Sequence, residues 1–205
     1  MQKLFHIQLN FNSFNSIFEK MKNRCFWVNS DDLYIDYHDN EWGKPVFDDE
    51  TLFEFLILET FQAGLSWITI LKKRENFRIA FDNFDYQKIA KYPESKYESL
   101  VQDAGIIRNK LKIRSASTNA QLFIEIQKEF GSFSKFIWNY VDGKPIVNKF
   151  HKREEVPATT ELSDKISKDL KKRGFKFVGS TIMYAFMQAV GMVNDHTTDC
   201  FKYPN

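Results

Sequence analysis

The sequence predicts an all-α protein, and three observations carry that reading. Apolar residues recur at helical spacings along most of the chain, strand-like alternation is weak throughout, and short Gly, Pro or Asp turns separate the helical segments. At 205 residues the chain suits one domain. Hydrophobic residues make up 43% and aromatics 16%, with Phe alone contributing 21 residues, so a sizeable core can form without covalent staples. No apolar run approaches the roughly 20 residues that span a bilayer, so no membrane association is expected.

Residues 1–21 are rich in Asn and Phe but lack a compact apolar stretch followed by a small-residue cleavage site. They read as an N-terminal extension of unknown role ahead of a single domain, 22–205. Thr51 to Gln62 is apolar nearly all round, through Leu52, Phe53, Phe55, Leu56, Ile57, Leu58 and Phe61, as a fully buried helix would be. It stops at Ala63-Gly64. Ser66 then caps a helix from Trp67 to about Phe81. Short helices are predicted from Tyr86 to Lys91, ended by Pro93, and from Ser95 to about Asp103. Ala104-Gly105-Ile106 is a tight turn, and a long helix runs from Arg108 to Phe130 with Leu122, Ile126 and Phe130 on one stripe. Phe133 to Val141 is helical and closes at Asp142-Gly143. Residues 146–160 look irregular, and helices follow at Glu161 to Arg173 and Ser180 to Gly191. The ends of the chain are expected to loop around the bundle.

Net charge is +2 and the sequence pI is near 8.4, too mild to argue for nucleic acid on composition alone. Local clusters are denser: Lys72-Lys73-Arg74, four basic residues between Arg108 and Arg114, and Lys171-Lys172-Arg173 with Lys176. Each reads as a solvated helix face or as a phosphate contact. Two cysteines in the chain make no disulfide framework and suit a reducing, cytoplasmic compartment.

Four constellations could carry chemistry. Ser99 to Lys110 brings an apolar helix end, the glycine turn at Gly105 and the basic residues Arg108 and Lys110 together. This is a candidate helix-hairpin-helix spanning about 95–130, whose backbone N–H groups could face a phosphate, or else an ordinary glycine-capped turn. Glu59 shares a helical face with Leu52, Phe55, Leu56 and Ala63, where a carboxylate is costly unless paired or used; Glu54 is similarly embedded. Trp27, Tyr34, Tyr37, Trp42 and Trp67 flank that helix from predicted loops, as core aromatics or as the walls of a base pocket. His196 and Cys200 lie one helical turn apart, and Cys25 with His38 would complete a tetrahedral Cys2His2 set. The spacing matches no standard zinc finger, and a Cys25–Cys200 disulfide is the alternative.

Several strings nevertheless resemble one family, the DNA-3-methyladenine glycosylases I. They are Arg24-Cys25-x-Trp27-Val28, Leu33 to Gly43, Gln62-Ala63-Gly64-Leu65-Ser66-Trp67-Ile68-Thr69, Lys72 to Asn76, Leu100 to Arg108, Leu170 to Gly179, and Val193-Asn194-Asp195-His196. The resemblance runs from about residue 22 to the C-terminus. It implies a helical glycosylase fold with a helix-hairpin-helix at Leu100 to Lys110. One structural zinc would be held by Cys25, His38, His196 and Cys200, tying the N- and C-terminal segments. The pocket carboxylate would be Glu59, the pocket aromatics Trp27, Tyr34, Tyr37, Trp42 and Trp67, and Leu65 would enter the gap left in the duplex.

The activity so implied is excision of 3-methyladenine from alkylated double-stranded DNA, releasing the free base and leaving an abasic site in base excision repair. The resemblance implies no counterpart of the Asp that many helix-hairpin-helix glycosylases carry after the hairpin, and with no basis for a lyase Lys the enzyme is expected to be monofunctional. It is expected to act as a monomer. A non-catalytic module that binds alkylation damage, and a zinc-stabilised helical interaction protein, are the competing readings. Base release separates the first, and salt-dependent DNA affinity the second.

Overall fold

The computed structural model describes residues 22–204, so the N-terminal extension 1–21 lies outside the described residues. Ten α-helices are described. They are α1 (Asp32–Asn40), α2 (Asp49–Gln62), α3 (Trp67–Leu71), α4 (Arg74–Ala80), α5 (Tyr86–Ile89), α6 (Glu94–Gln102), α7 (Lys110–Phe130), α8 (Phe133–Trp138), α9 (Glu161–Arg173) and α10 (Ser180–Ala189). The one sheet among the described residues is a parallel pair, β1 (Ile146–Val147) and β2 (Val193–Asn194), with Ile146 opposite Val193. The fold is mostly helical, as the apolar periodicity predicts.

The most apolar segment becomes the centre. α2 buries Leu52, Phe53, Phe55, Leu56, Ile57, Leu58 and Phe61, and α3, α7, α8 and α10 pack around it. Each large side chain removed from water there contributes roughly 1.5–3 kcal/mol. Asp48 starts the helix by accepting the Thr51 N–H, two residues earlier than the apolar pattern begins. Asp49 accepts the N–H groups of Phe133 and Ser134 at 2.9 and 2.7 Å and the Gln127 amide at 2.7 Å, so one carboxylate joins α2 to α7 and α8.

Four local features differ from the sequence expectation. The region of Tyr34 and Tyr37, read as loop, is the helix α1, capped by Asp31, which accepts the Leu33 N–H. Its inward residues Tyr34, Tyr37 and His38 sit among acids, which hides the helical pattern. The helix expected from Trp67 to Phe81 is interrupted after Leu71, and α4 restarts at Arg74. Lys73 Nζ reaches the carbonyls of Ala104 and Gly105 at 3.0 and 3.2 Å, anchoring the break to the glycine turn. The long helix begins at Lys110 rather than Arg108, because Asn109 caps it and accepts the N–H groups of Leu111 and Lys112. β1 lies in the stretch 146–160 read as irregular, and its partner β2 follows the last helix. Two residues per strand leave no alternation to detect.

The two ends of the described residues meet. The Phe201 N–H donates to Asn23 O at 2.9 Å, Asn23 Nδ2 donates to the Asp199 carboxylate at 2.8 Å, and the Thr198 N–H donates to Phe150 O. No helix among the described residues is long and apolar enough to cross a membrane.

Candidate functional site

A cavity of about 320 Å³ opens between α1, α2 and α10. Trp27, Tyr34, Tyr37, Trp42, Trp67 and Glu59 all line it, so residues from five separate stretches of sequence converge as a pocket. Trp27 meets Tyr34 and Trp42 edge to face, at 5.4 and 5.1 Å, and Tyr37 packs tilted against Trp67 at 5.4 Å. Tyr34 also holds the next wall in place, since its hydroxyl accepts the Ile68 N–H in the first turn of α3 at 3.1 Å. No side-chain cap is made by Ser66, the cap expected from the sequence.

Glu59 is 3% exposed, and its Oε2 has no hydrogen-bond partner. Burial without a compensating cation pushes its carboxyl up to about 8. The hydroxyl of Tyr37, buried beside that carboxyl, is held well above its ordinary range by burial and by the Glu59 charge. Two further polar atoms in this wall are buried and unpartnered, the indole nitrogens of Trp27 and Trp67. An acceptor and two donors without protein partners around one apolar cavity are what a flat, polar-edged ligand would satisfy. Glu54, embedded in the same helix, differs in kind. It pairs with Arg74 at 2.6 Å and Arg78 at 2.8 Å, and Arg74 also pairs with Glu41 at 2.6 Å.

The opposite side of the cavity was not legible in the sequence. Thr181, Tyr184, Ala185 and Gln188 of α10 line it, with Asp195 and the segment Val156-Pro157-Ala158. Asp195 is 2% exposed and accepts from Tyr184 Oη at 2.6 Å, Gln188 Nε2 at 2.7 Å and Asn148 Nδ2 at 2.7 Å. The one signal that could have found them is the spacing of Thr181, Tyr184, Ala185 and Gln188, which puts them on one helical stripe.

Cys25, His38, His196 and Cys200 are all buried, and their ligand atoms lie within 4.8 Å of one another. Cys25 Sγ is 3.4 Å from His196 Nδ1, and Cys200 Sγ is 3.4 Å from His38 Nε2 and 3.6 Å from His196 Nδ1. Both cysteines are free, so the disulfide alternative is not formed. The His38 ring is oriented by Asp39, 2.7 Å from Nδ1, and Asp39 is in turn gripped by Arg24 at 2.6 Å. Gly43 is required beside this cluster. Its φ is +75°, and a Cβ there would lie 3.1 Å from His196 Nε2. Trp42 stands 4.7 Å from His196, so the cluster and the pocket share a wall. These four residues could hold a metal ion.

Around the glycine turn, the Gly105 N–H is taken by Asp103 Oδ1 at 2.7 Å and the Ile106 N–H by Asp103 O at 3.4 Å. The turn therefore does not offer the Gly105 amide outward. Gly105 is there for space, since a Cβ would lie 2.9 Å from Asp103 Oδ1 and 3.1 Å from Asn76 Cβ. Arg108 and Lys110 are exposed just beyond it, and Leu65 is 39% exposed on the turn after α2. The basic clusters divide. Lys72 pairs with Asp31 and Lys73 holds the glycine turn, while Lys112 is buried and donates to Phe61 O at 2.9 Å and Ala63 O at 2.8 Å, capping α2. Arg114 pairs with Glu94, and Arg173 with Glu129.

The geometry has close counterparts. The methyladenine glycosylase family matches residues 27–203. The Escherichia coli (strain K12) protein DNA-3-methyladenine glycosylase 1 is 52% identical over 181 residues, covering 88% of this chain and 97% of that one. A crystal structure of 3-methyladenine DNA glycosylase I superposes with a TM-score of 0.87 at 51% identity, covering 89% of this chain and 100% of that one. A variant of such an enzyme in complex with 3-methyladenine superposes with a TM-score of 0.86 at 36% identity, covering 89% of this chain and 98% of that one. With a match across nearly all described residues, the chain belongs to the methyladenine glycosylase family.

Proposed function

We propose that this protein extrudes 3-methyladenine from alkylated double-stranded DNA into the aromatic cavity and hydrolyses its N-glycosidic bond. The observation that carries this reading is the unpartnered carboxylate of Glu59 inside a box of aromatic rings. Methylation at N3 makes adenine cationic while it is attached to the sugar, so the bond to C1′ is already weak and the base needs no protonation. A cation is the ligand that this box favours, through ring faces and a buried carboxylate. Glu59 accepts hydrogen bonds from the adenine edge and returns to its ionised form as the cationic base enters.

The bond from C1′ to the base breaks with its electron pair going to the base, which leaves as neutral 3-methyladenine. Water adds at C1′, loses a proton to solvent and leaves an abasic site. Glu59 and the rings stabilise the positive charge shared between base and sugar as the bond stretches. Leu65 fills the gap in the duplex, and Arg108 and Lys110, exposed just beyond the turn at Gly105, hold the backbone. One chain suffices.

Cys25, His38, His196 and Cys200 are assigned to one structural zinc ion. A tetrahedral zinc with bonds of about 2.0–2.3 Å has ligand–ligand edges of about 3.6 Å, close to the sulfur–nitrogen separations of 3.4 and 3.6 Å. Four protein ligands leave no position for water, so zinc would supply cross-linking rather than chemistry. The ligands Cys25 and His38 at one end and His196 and Cys200 at the other would fasten the two ends of the domain through that one ion.

The test is base release from methylated duplex DNA. Wild type is expected to release free 3-methyladenine, and Glu59→Gln to lower single-turnover release by about 10²-fold or more while remaining folded. Full release by the variant would remove Glu59 from the mechanism. Tight binding of damaged DNA with no release by wild type would reduce the protein to a damage-binding module.

A further inference from the structure

Phe177 is held in a conformation that an aromatic residue rarely adopts. Its φ is +57°, in the left-handed region, and it is 37% exposed on the turn between α9 and α10. Buried polar side chains clamp the backbone on both sides. Asn119, fully buried, accepts the Lys176 N–H at 2.8 Å and donates to Lys176 O at 3.1 Å, and Ser167, 3% exposed, donates to Val178 O at 2.7 Å. A glycine would meet this φ without steric penalty. The surrounding structure instead over-determines a strained phenylalanine and leaves its ring partly in water, the pattern found where strain serves a function.

The position of the ring indicates what it meets. Phe177 lies over Lys112, with Nζ 5.9 Å from the ring centre, and the same Nζ bonds Phe61 O and Ala63 O at the end of α2. Leu65 stands two residues beyond Ala63. The cavity is lined at its two sides by Gln62, just before that turn, and by Thr181, just after the turn that carries Phe177. Two exposed apolar side chains, Leu65 and Phe177, therefore sit on the two turns next to the cavity-lining residues Gln62 and Thr181, linked through the buried Lys112, with the exposed Lys176 beside Phe177.

We infer that Phe177 is a second wedge that stacks on the bases exposed when the damaged nucleotide leaves the duplex, working beside Leu65. This rests on the proposed DNA glycosylase reading. A nucleotide turned into the cavity leaves unstacked bases facing the pocket mouth, and an aromatic face stacks on any base. A ring fixed by a clamped backbone loses little freedom on stacking.

The experiment uses a duplex carrying a tetrahydrofuran abasic-site analogue opposite 2-aminopurine, whose fluorescence reports stacking. Phe177→Ala is expected to weaken binding by about tenfold or more and to remove most of the fluorescence change seen with wild type, and Phe177→Trp to restore both. Quenching of the protein's tryptophans by free 3-methyladenine should be unchanged in Phe177→Ala, since the ring lies outside the cavity. Phe177→Gly should lose DNA binding while keeping its Tm, because glycine relieves the strain. Equal binding and fluorescence for wild type and Phe177→Ala would overturn the inference, as would a parallel loss of Tm and free-base quenching. If wild type neither prefers the abasic duplex nor releases base from methylated DNA, the glycosylase reading fails. If wild type does both and Phe177→Ala matches it, only the wedge fails.

Discussion

A buried carboxylate needs a partner, and the two acids inside α2 meet that need differently. Glu54 has Arg74 and Arg78 as structural partners, whereas Glu59 has none and stays largely protonated at neutral pH. The stability consequence has a definite sign. Folding raises the Glu59 carboxyl from 4.5 to about 8, so its favourable contribution is complete below pH 4.5 and is lost as pH rises toward 8. Glu59→Gln cannot ionise and escapes that loss. Its Tm should exceed that of wild type by a margin that grows from pH 4.5 to pH 8 and then levels off, with about 4–5 kcal/mol as the ceiling. Parallel melting curves for the two proteins across that range would show that Glu59 is not strained by burial. The acid on an apolar stripe was legible in the sequence, but its lack of a partner was not, because Arg74 and Arg78 reach Glu54 from a different helix.

At the scale of elements, the apolar run became α2 as expected, since a segment apolar on every side can only be buried. The ends and joints of helices were less legible. Asp49 reads as an ordinary first-turn acid, yet it caps α8 and binds Gln127 of α7. Asp49→Ala should cost about 1–2 kcal/mol and lower the Tm by roughly 2–8 °C, measured by thermal melting. An unchanged Tm would mean that these bonds are replaced by water without loss. α1 was missed because its buried residues are few and acids surround them. The break between α3 and α4 was missed because the bond that anchors it, from Lys73 to the glycine turn, joins positions 31 and 32 residues apart.

At the scale of the whole molecule, the two ends of the described residues are brought together. Cys25 and Cys200 come from opposite termini of the described chain, and the neighbouring bond from Phe201 to Asn23 brings the same strands together. If the cluster holds zinc as proposed, elemental analysis will find about one metal per chain, and chelation will lower the Tm by at least about 10 °C. Because Trp42 and Trp27 pack against His196 and His38, chelation should also weaken binding of free 3-methyladenine. A metal-free protein with unaltered Tm and base affinity would exclude the structural role.

The sequence alone determined the helical class and the central helix, and marked Glu54 and Glu59 as acids embedded in it, with Trp27, Tyr34, Tyr37, Trp42 and Trp67 flanking it. These are properties of residue type and short spacing, which hydrophobic burial and helix periodicity express directly. Only the tertiary structure decided which basic residues are already used inside the fold and which acids are paired. It also decided that α10 and Asp195 form the far wall of the pocket, and that Phe177 is left partly exposed on the turn before α10. Each of those depends on groups brought together across tens of residues, and no local pattern records such distances.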